Sequence, residues 1–467
     1  MNNNYKKIDK QDINYFLSFI EEKRVLVGGA ISSDYSKDEL GTVVMMPEVV
    51  LRVVSAEEIS KVMKYANEKR IAVTVRGSGT GLVGACVPIY GGIILDMTLM
   101  NKIISLDENN LVLEVEPGVL LMDIYEYIEP KGFFYAPDPG EKSATIGGNI
   151  ATNAGGMRAV KYGVTRDWVL SLEVVLPTGE ITRFGRNVVK DTTGYSLKNL
   201  VIGSEGTLAI ITKAYLKLIS KPTKFISLLV PFKTLEAGIE SVPAIIKSNT
   251  DPTAIEFFGK ETIKFAETFL GKRFPDSKND AYILLTFEGV SDEEIKTKYK
   301  KAADLCLDEL GALDVLIVDT DERKASVWDA RGAFLEAIKA STTQMDECDV
   351  VVPRSAVSEF IKFTYSLSEK YQMRIPSFGH AGDGNLHIYI CKDDLSDAEF
   401  KVNLDAIFQE LYDHAKEIGG LVSGEHGIGF AKKQYMVESL GEVQIELMRK
   451  IKQSFDPNNV LNPSKVI

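Results

Sequence analysis

The sequence predicts an α+β fold built from more than one body. Three observations carry that reading. Short helices alternate with β-rich runs through residues 1–220. From 221 to 410 the chain carries more charge and fewer glycines, yet helix and strand signals still alternate. From 411 to 467 a helical stretch leads into a second glycine-rich string and a tail rich in asparagine and proline.

The elements follow in order. Ser55-Ala56-Glu57-Glu58 reads as a capping box. Apolar residues Ile59, Val62, Met63 and Ala66 then recur at helical spacing. Ile71 to Val75 is a buried strand by its β-branched content. Thirteen of the 37 glycines fall between Gly77 and Gly156, so loops there bring backbone close to something. In the second region Ala281-Tyr-Ile-Leu-Leu-Thr-Phe287 is a strand, and the whole predicts an α+β cap domain with an antiparallel sheet. A helix is expected over 404–418.

Bulk properties narrow the function. The 467-residue chain is 45% hydrophobic and 26% charged, with a net charge of −12. Such acidity argues against nucleic acid or an anionic membrane as main partner, because both attract basic surfaces. The start, MNNNYKKIDKQD, lacks the apolar stretch of a secretion signal, and no run of 18 apolar residues occurs. A cytoplasmic enzyme is the expectation. Cys86, Cys306, Cys348 and Cys391 make no CxxC pair, which speaks against an iron–sulfur cluster within this chain.

Gly79-Thr-Gly81-Leu-Val-Gly84 has the spacing of a dinucleotide fingerprint. That fingerprint must open a helix. Here Pro88, Gly91 and Gly92 follow at once and break one. Four strings taken together read better: Val75-Arg-Gly-Ser-Gly-Thr-Gly81, Asp138-Pro-Gly140, Ala144-Thr-Ile-Gly-Gly-Asn-Ile-Ala-Thr-Asn-Ala-Gly-Gly156, and Gly203-Ser-Glu-Gly-Thr-Leu-Ala-Ile-Ile-Thr212. In order and spacing they resemble the PCMH-type FAD-binding domain of the vanillyl-alcohol-oxidase-like flavoproteins. The resemblance implies two α+β subdomains. Arg76, Gly77, Ser78, Gly79, Thr80 and Gly81 would wrap the FAD pyrophosphate with backbone N–H groups. Ala144, Thr145, Gly147, Gly148 and Asn149 would join them. Pro139 and Gly140 belong to the same surface. The second segment, with Thr152, Ala154, Gly155 and Gly156, runs along the isoalloxazine. Glu205, Gly206 and Ile210 serve the adenosine side. Asn462, in Asp456-Pro-Asn-Asn-Val-Leu-Asn-Pro463, belongs to a tail returning to the flavin. Relatives with covalent flavin carry a histidine where Thr80 stands, and no histidine precedes His380. Non-covalent FAD is therefore expected.

All four histidines lie in one 47-residue window: His380, His387, His414 and His426. Histidine titrates near neutral pH and is the commonest metal ligand. His380 and His387 are separated by Ala-Gly-Asp-Gly-Asn-Leu, turn chemistry that lets the chain fold back and aim both rings at one point. With a carboxylate such as Glu425 they make a divalent-metal set with open positions. His414 sits in a polar helix and is read as a bystander. HAGDGNLH and GEHG resemble the C-terminal signatures of FAD-linked 2-hydroxyacid dehydrogenases. That resemblance implies that His380, His387 and Glu425 bind one divalent metal (zinc, iron or manganese) and that His426 is the general base. It also implies hydride transfer from C2 of the substrate to N5 of FAD.

Trp328-Asp-Ala-Arg331 resembles the family's W-x-x-R element, making Arg331 the candidate clamp for a substrate carboxylate; a surface salt bridge is the alternative. Dicarboxylate-specific relatives carry a lysine where Glu347 stands, so a monocarboxylate such as D-lactate or glycolate is expected over 2-hydroxyglutarate. The whole chain is similar to lactate dehydrogenase subunits that pair with an electron-transferring flavoprotein. The resemblance implies partner α and β subunits passing electrons to NAD, coupled to ferredoxin oxidation. The alternative is a dehydrogenase of the glycolate oxidase kind, feeding an iron–sulfur subunit.

Overall fold

The structure is a computed structural model that describes residues 4–467. The chain forms two compact bodies. The first runs to Ala154, resumes over Val164–Lys221 and again over His426–Ile467; the second is Gly155–Gly163 with Pro222–Glu425. This differs from the boundaries expected from sequence in two respects, the first being that Gly155–Gly163 joins the second body. The stretch from 411 to 467 is not a separate piece: up to Glu425 it belongs to the second body, and from His426 to the first.

In the first body the helix expected after Ser55 spans Ala56–Lys69. The Ser55 hydroxyl caps Glu58 N–H. Only half of the capping box forms, because the Glu58 carboxylate accepts from Val54 N–H and the guanidinium of buried Arg24 instead. The helix lays Ile59, Val62, Met63 and Ala66 on a four-stranded sheet ordered Val25–Val27, Val49–Arg52, Ile93–Asp96, Val73–Arg76. The last three strands are parallel, and Ile93, Ile94 and Leu95 are fully buried, as parallel strands covered on both faces require. A second, antiparallel sheet is ordered Ile103–Asp107, Val112–Val115, Ile210–Lys217, Val169–Val175, Ile181–Gly185. The tail joins the first sheet: Val73 N–H donates to Val460 O, and Asn462 N–H to Val73 O.

The second body is a seven-stranded antiparallel sheet ordered Leu316–Val318, Lys224–Phe232, Ala281–Gly289, Ala254–Gly259, Ser377–His380, Asn385–Cys391, Met345–Val351. Helices cover both of its faces. On one side Leu229, Phe258, Tyr282, Leu284 and Phe378 pack with Ile263, Phe334 and Ile338 from the helices Lys260–Leu270 and Phe334–Ala340. On the other, Gly238 brings the helix Leu235–Lys247 close: a Cβ there would lie 3.2 Å from Ile283 and Phe232. The helix expected over 404–418 is longer, Asp397–Glu417. All four cysteines are free thiols. Among the described residues no helix is long and apolar enough to cross a membrane.

Candidate active site

The antiparallel register builds the site in the second body. His380 ends one strand, and the turn Ala381-Gly-Asp-Gly384 returns the chain so that His380 faces Asn385 and Phe378 faces His387. On the flanking strands Glu256 lies opposite His380, Asp349 opposite His387, and Glu347 opposite Tyr389. Because side chains alternate, this register places Glu256, Glu347, Asp349, His380, Asn385 and His387 on one face. Gly384 makes the turn possible: its φ is +88°, and a Cβ would lie 2.1 Å from Val352 O.

Three ligand-type atoms converge. His380 Nε2 and His387 Nε2 are 3.5 Å apart. Glu425 Oε1 is 3.5 Å from the first and 3.2 Å from the second. A tetrahedral metal with bonds of about 2.0–2.1 Å has ligand–ligand edges of about 3.3–3.4 Å, so this triangle fits one. The other ring nitrogens are held by carboxylates: His380 Nδ1 is 2.6 Å from Glu256 Oε1, and His387 Nδ1 is 3.2 Å from Glu347 Oε1. Donation from Nδ1 leaves each Nε2 a lone pair aimed at the third carboxylate, an arrangement that a cation resolves. All of these side chains are nine-tenths or more buried.

Without a cation the cluster is strongly coupled. Burial alone lowers an imidazole pKa, but Glu256 and Glu425 outweigh it and hold His380 well above its ordinary value. Burial is likewise outweighed at His387, by Glu347 and Glu425, raising it to about 9. Burial raises the pKa of Glu425, yet the two histidines bring it below the usual carboxylate range. Glu256 is held at about 2 against its burial by His380 and Arg331.

The loop carrying Glu425 is fixed by Asp349. Its Oδ2 accepts from Ser423 Oγ (2.8 Å), Gly424 N–H (3.1 Å) and Glu425 N–H (3.1 Å), and its Oδ1 accepts from Asn385 Nδ2 (2.7 Å). Gly155 packs on the same carboxylate, since a Cβ there would lie 2.8 Å from Glu425 Oε2.

Arg331 is in the last turn of the helix Asp321–Gly332 and is buried. Its Nε and Nη2 donate to Glu256 Oε2 at 2.8 and 2.5 Å. The surface salt bridge weighed from sequence is thereby replaced by a buried one. The side edge of the guanidinium is occupied, and the Nη1/Nη2 end is what it can present to a carboxylate. Glu347, read from sequence as a specificity residue, is buried against His387 and orients its ring. His414 stacks on Phe360 and Phe363 at centroid distances of 5.6 and 4.2 Å, away from the cluster's hydrogen bonds. His426 follows Glu425 directly and opens the C-terminal part of the first body.

The glycine loops of the first body fit a dinucleotide phosphate. The backbone N–H groups of Gly77, Ser78, Gly79, Thr80 and Gly81 donate to no described residue. Consecutive free amides of this kind form an anion-binding nest. The cradle is tight: a Cβ on Gly77 would lie 2.1 Å from Thr145 Oγ1, and one on Gly147 2.6 Å from Pro117 Cβ. In the Gly203–Thr212 string the buried Ser204 Oγ has no partner. Arg76 props the first loop, donating to Lys37 O at 2.8 Å. Gly148 and Asn149 lie in the helix Ile146–Thr152, where Thr152 Oγ1 donates to Gly148 O. Ala144 and Thr145 lead into it, and Pro139 and Gly140 lie in the loop before it. Ala154 O accepts from Thr165, while Gly155 and Gly156 fall in the second body. Three expected cofactor residues also make contacts within the protein. Glu205 accepts Ile428 and Gly429 N–H at 2.7 and 2.8 Å. Asn462 Nδ2 donates to Glu205 O and Ala85 O. Ile210 is core, and Gly206 turns the chain between them with a φ of +69°.

Comparison with known proteins decides the family. Residues 221–466 match the family of FAD linked oxidases, C-terminal domain, and residues 47–185 match the FAD binding domain. The chain belongs to the FAD-linked oxidase family. It is 48% identical to a D-lactate dehydrogenase of Anaerostipes hadrus, over 99% of this chain and 98% of that one. It is 37% identical to the glycolate oxidase subunit GlcD of Bacillus subtilis (strain 168), over 96% of each. In fold it is similar to p-cresol methylhydroxylase with substrate bound, at a TM-score of 0.79 and 20% identity, over 99% of this chain and 98% of that one. The α+β architecture is that of this family, and this FAD-linked oxidase is an FAD-dependent oxidoreductase.

Proposed function

We propose that the protein oxidises a D-2-hydroxyacid, D-lactate first among them, to the 2-oxoacid, with non-covalent FAD and one divalent metal. The observation that carries the metal is the triangle of His380 Nε2, His387 Nε2 and Glu425 Oε1, with both Nδ1 atoms tied to carboxylates. The substrate class rests on the likeness to the D-lactate dehydrogenase of Anaerostipes hadrus across nearly the whole chain.

The reaction removes a proton from the hydroxyl and a hydride from C2. Bound FAD supplies the hydride acceptor, and a bound divalent metal supplies Lewis acidity toward the substrate oxygens. The chain's own residues do the rest. His426 takes the hydroxyl proton on a ring nitrogen, as a general base. Arg331 offers its Nη1/Nη2 end to the substrate carboxylate. Glu256 and Glu347 hold the ligand rings, and the free amides of Gly77–Gly81 hold the FAD phosphates.

The electron acceptor is proposed to be an electron-transferring flavoprotein with α and β subunits, leading to NAD and coupled to ferredoxin oxidation. The 37% identity to a glycolate oxidase subunit supports the second reading, transfer to an iron–sulfur subunit. The test is an anaerobic titration of the purified protein with D-lactate, L-lactate, glycolate and 2-hydroxyglutarate, following flavin absorbance. Bleaching by D-lactate, lost on chelation while FAD stays bound, is expected. Absence of bleaching by any of the four acids sinks the reading.

A further inference from the structure

Glu256 has no part in the chemistry described so far except to hold His380, yet it is tied to two functional side chains at once. It lies within the strand Ala254–Gly259, in the run Ala-Ile-Glu-Phe-Phe-Gly, and its side chain is fully buried. A carboxylate in the middle of an apolar sheet persists only when it is fully paired. Its two oxygens divide their partners. Oε1 takes His380 Nδ1 at 2.6 Å, directly across the sheet. Oε2 takes Nε and Nη2 of Arg331 at 2.8 and 2.5 Å. Phe378 and Phe334 fix the guanidinium plane further, with centroids 4.7 and 5.8 Å away.

Two consequences follow from hydrogen-bond chemistry. A carboxylate only accepts, so the neutral His380 ring carries its proton on Nδ1 and keeps Nε2 as a lone pair. Arg331 has its side edge occupied, so it can turn only its end toward another anion. We propose that Glu256 is a positioning residue that sets the tautomer of His380 and the orientation of Arg331 together, so that the metal subsite and the substrate-carboxylate subsite are built as one unit. Glu347 differs, for it faces the other ring, His387, while Nε and Nη2 of Arg331 go to Glu256. The inference rests on the function proposed above, and a pair of variants separates the two.

The substitution is Glu256→Gln, with Glu347→Gln as its counterpart. In Glu256→Gln the carboxamide oxygen satisfies Arg331, but the amide nitrogen then donates to His380 Nδ1 and moves the ring proton to Nε2, facing the metal position. FAD absorbance and melting temperature report folding. Mn²⁺ affinity is measured by competition with a chelator, and kcat and KM for D-lactate are measured at saturating Mn²⁺ with an artificial acceptor. Both variants are expected to lose about 10–100-fold in Mn²⁺ affinity. At saturating Mn²⁺ Glu256→Gln keeps a raised KM, because Arg331 has lost its anionic anchor. A Glu256→Gln enzyme with Mn²⁺ affinity within about twofold of wild type, or one whose KM at saturating Mn²⁺ equals that of wild type, overturns the inference and leaves the proposed function standing. Wild-type protein that binds no Mn²⁺ and is not reduced by D-lactate overturns both. If Glu256→Gln fails to hold FAD, Glu256→Asp decides: its shorter side chain cannot reach both partners, so Mn²⁺ affinity and KM must worsen together, and no change in either refutes the coupling.

Discussion

Replacing Asp349 by alanine tests how the loop carrying Glu425 is held. The carboxylate is fully buried and accepts four hydrogen bonds, from Ser423, Gly424, Glu425 and Asn385. Asn385 Nδ2 keeps Val350 O at 3.0 Å, and Gly424 is exposed, so water can reach part of the loop. The low end of the penalty for an orphaned donor therefore applies, about 1 kcal/mol each, or roughly 3–4 kcal/mol in all. For a body of this size about 1 kcal/mol moves the melting temperature by roughly 2–4 °C, so a drop of about 6–15 °C is expected. The assay is calorimetry of the FAD-loaded protein, with metal content measured after dialysis. Metal retention must fall as well, because the Glu425 backbone is no longer fixed. Asp349→Asn keeps one accepting oxygen and should lie between. An Asp349→Ala protein that melts as wild type and retains metal refutes the argument that this carboxylate holds the loop.

Three further outcomes are expected. His426→Ala should keep its yellow flavin but lose about 10²–10⁴ in the rate of D-lactate-dependent bleaching, measured by anaerobic stopped flow. Gly147→Ala puts a Cβ 2.6 Å from Pro117 Cβ and 2.9 Å from Pro117 O. It should lower FAD occupancy after gel filtration, at a cost of about 1–3 kcal/mol. Lys452→Met removes an ammonium that reaches Thr207 O, Asp456 Oδ2 and Leu461 O, and strands buried Asp456. A loss of about 3–5 kcal/mol is expected in denaturant unfolding, and Lys452→Met with Asp456→Asn should recover part of it.

The parts legible in the sequence are those that local chemistry dictates. The helix Ala56–Lys69 announces itself by its cap and its apolar face. The His380–His387 hairpin does so by its glycine-rich turn. What stays hidden depends on strand register. Glu256 meets His380 across 124 residues of sequence, and Asp349 meets Glu425 across 76. No spacing rule reaches that far. A signal is nevertheless present at Glu256, which interrupts the apolar run Ala254–Gly259, where a lone carboxylate is costly to bury and so must have partners. Arg331 is legible in its motif, but the orientation of its guanidinium depends on Glu256. Glu205 and Asn462, expected at the cofactor, also brace the backbone of the tail and the glycine loop.

The return of the C-terminal tail to the first sheet bears on how the protein is made. Val73 pairs with Leu461 in a parallel bridge, and Lys465 Nζ reaches Val87 O from 378 residues away. On a ribosome adding about 5–20 residues per second, the first sheet waits roughly 20–80 seconds for its last edge. During that interval Ile71 to Val75 is an incomplete edge with exposed amides, and the entire second body has already emerged. Order of synthesis and order of completion are thus reversed for the body that binds the flavin.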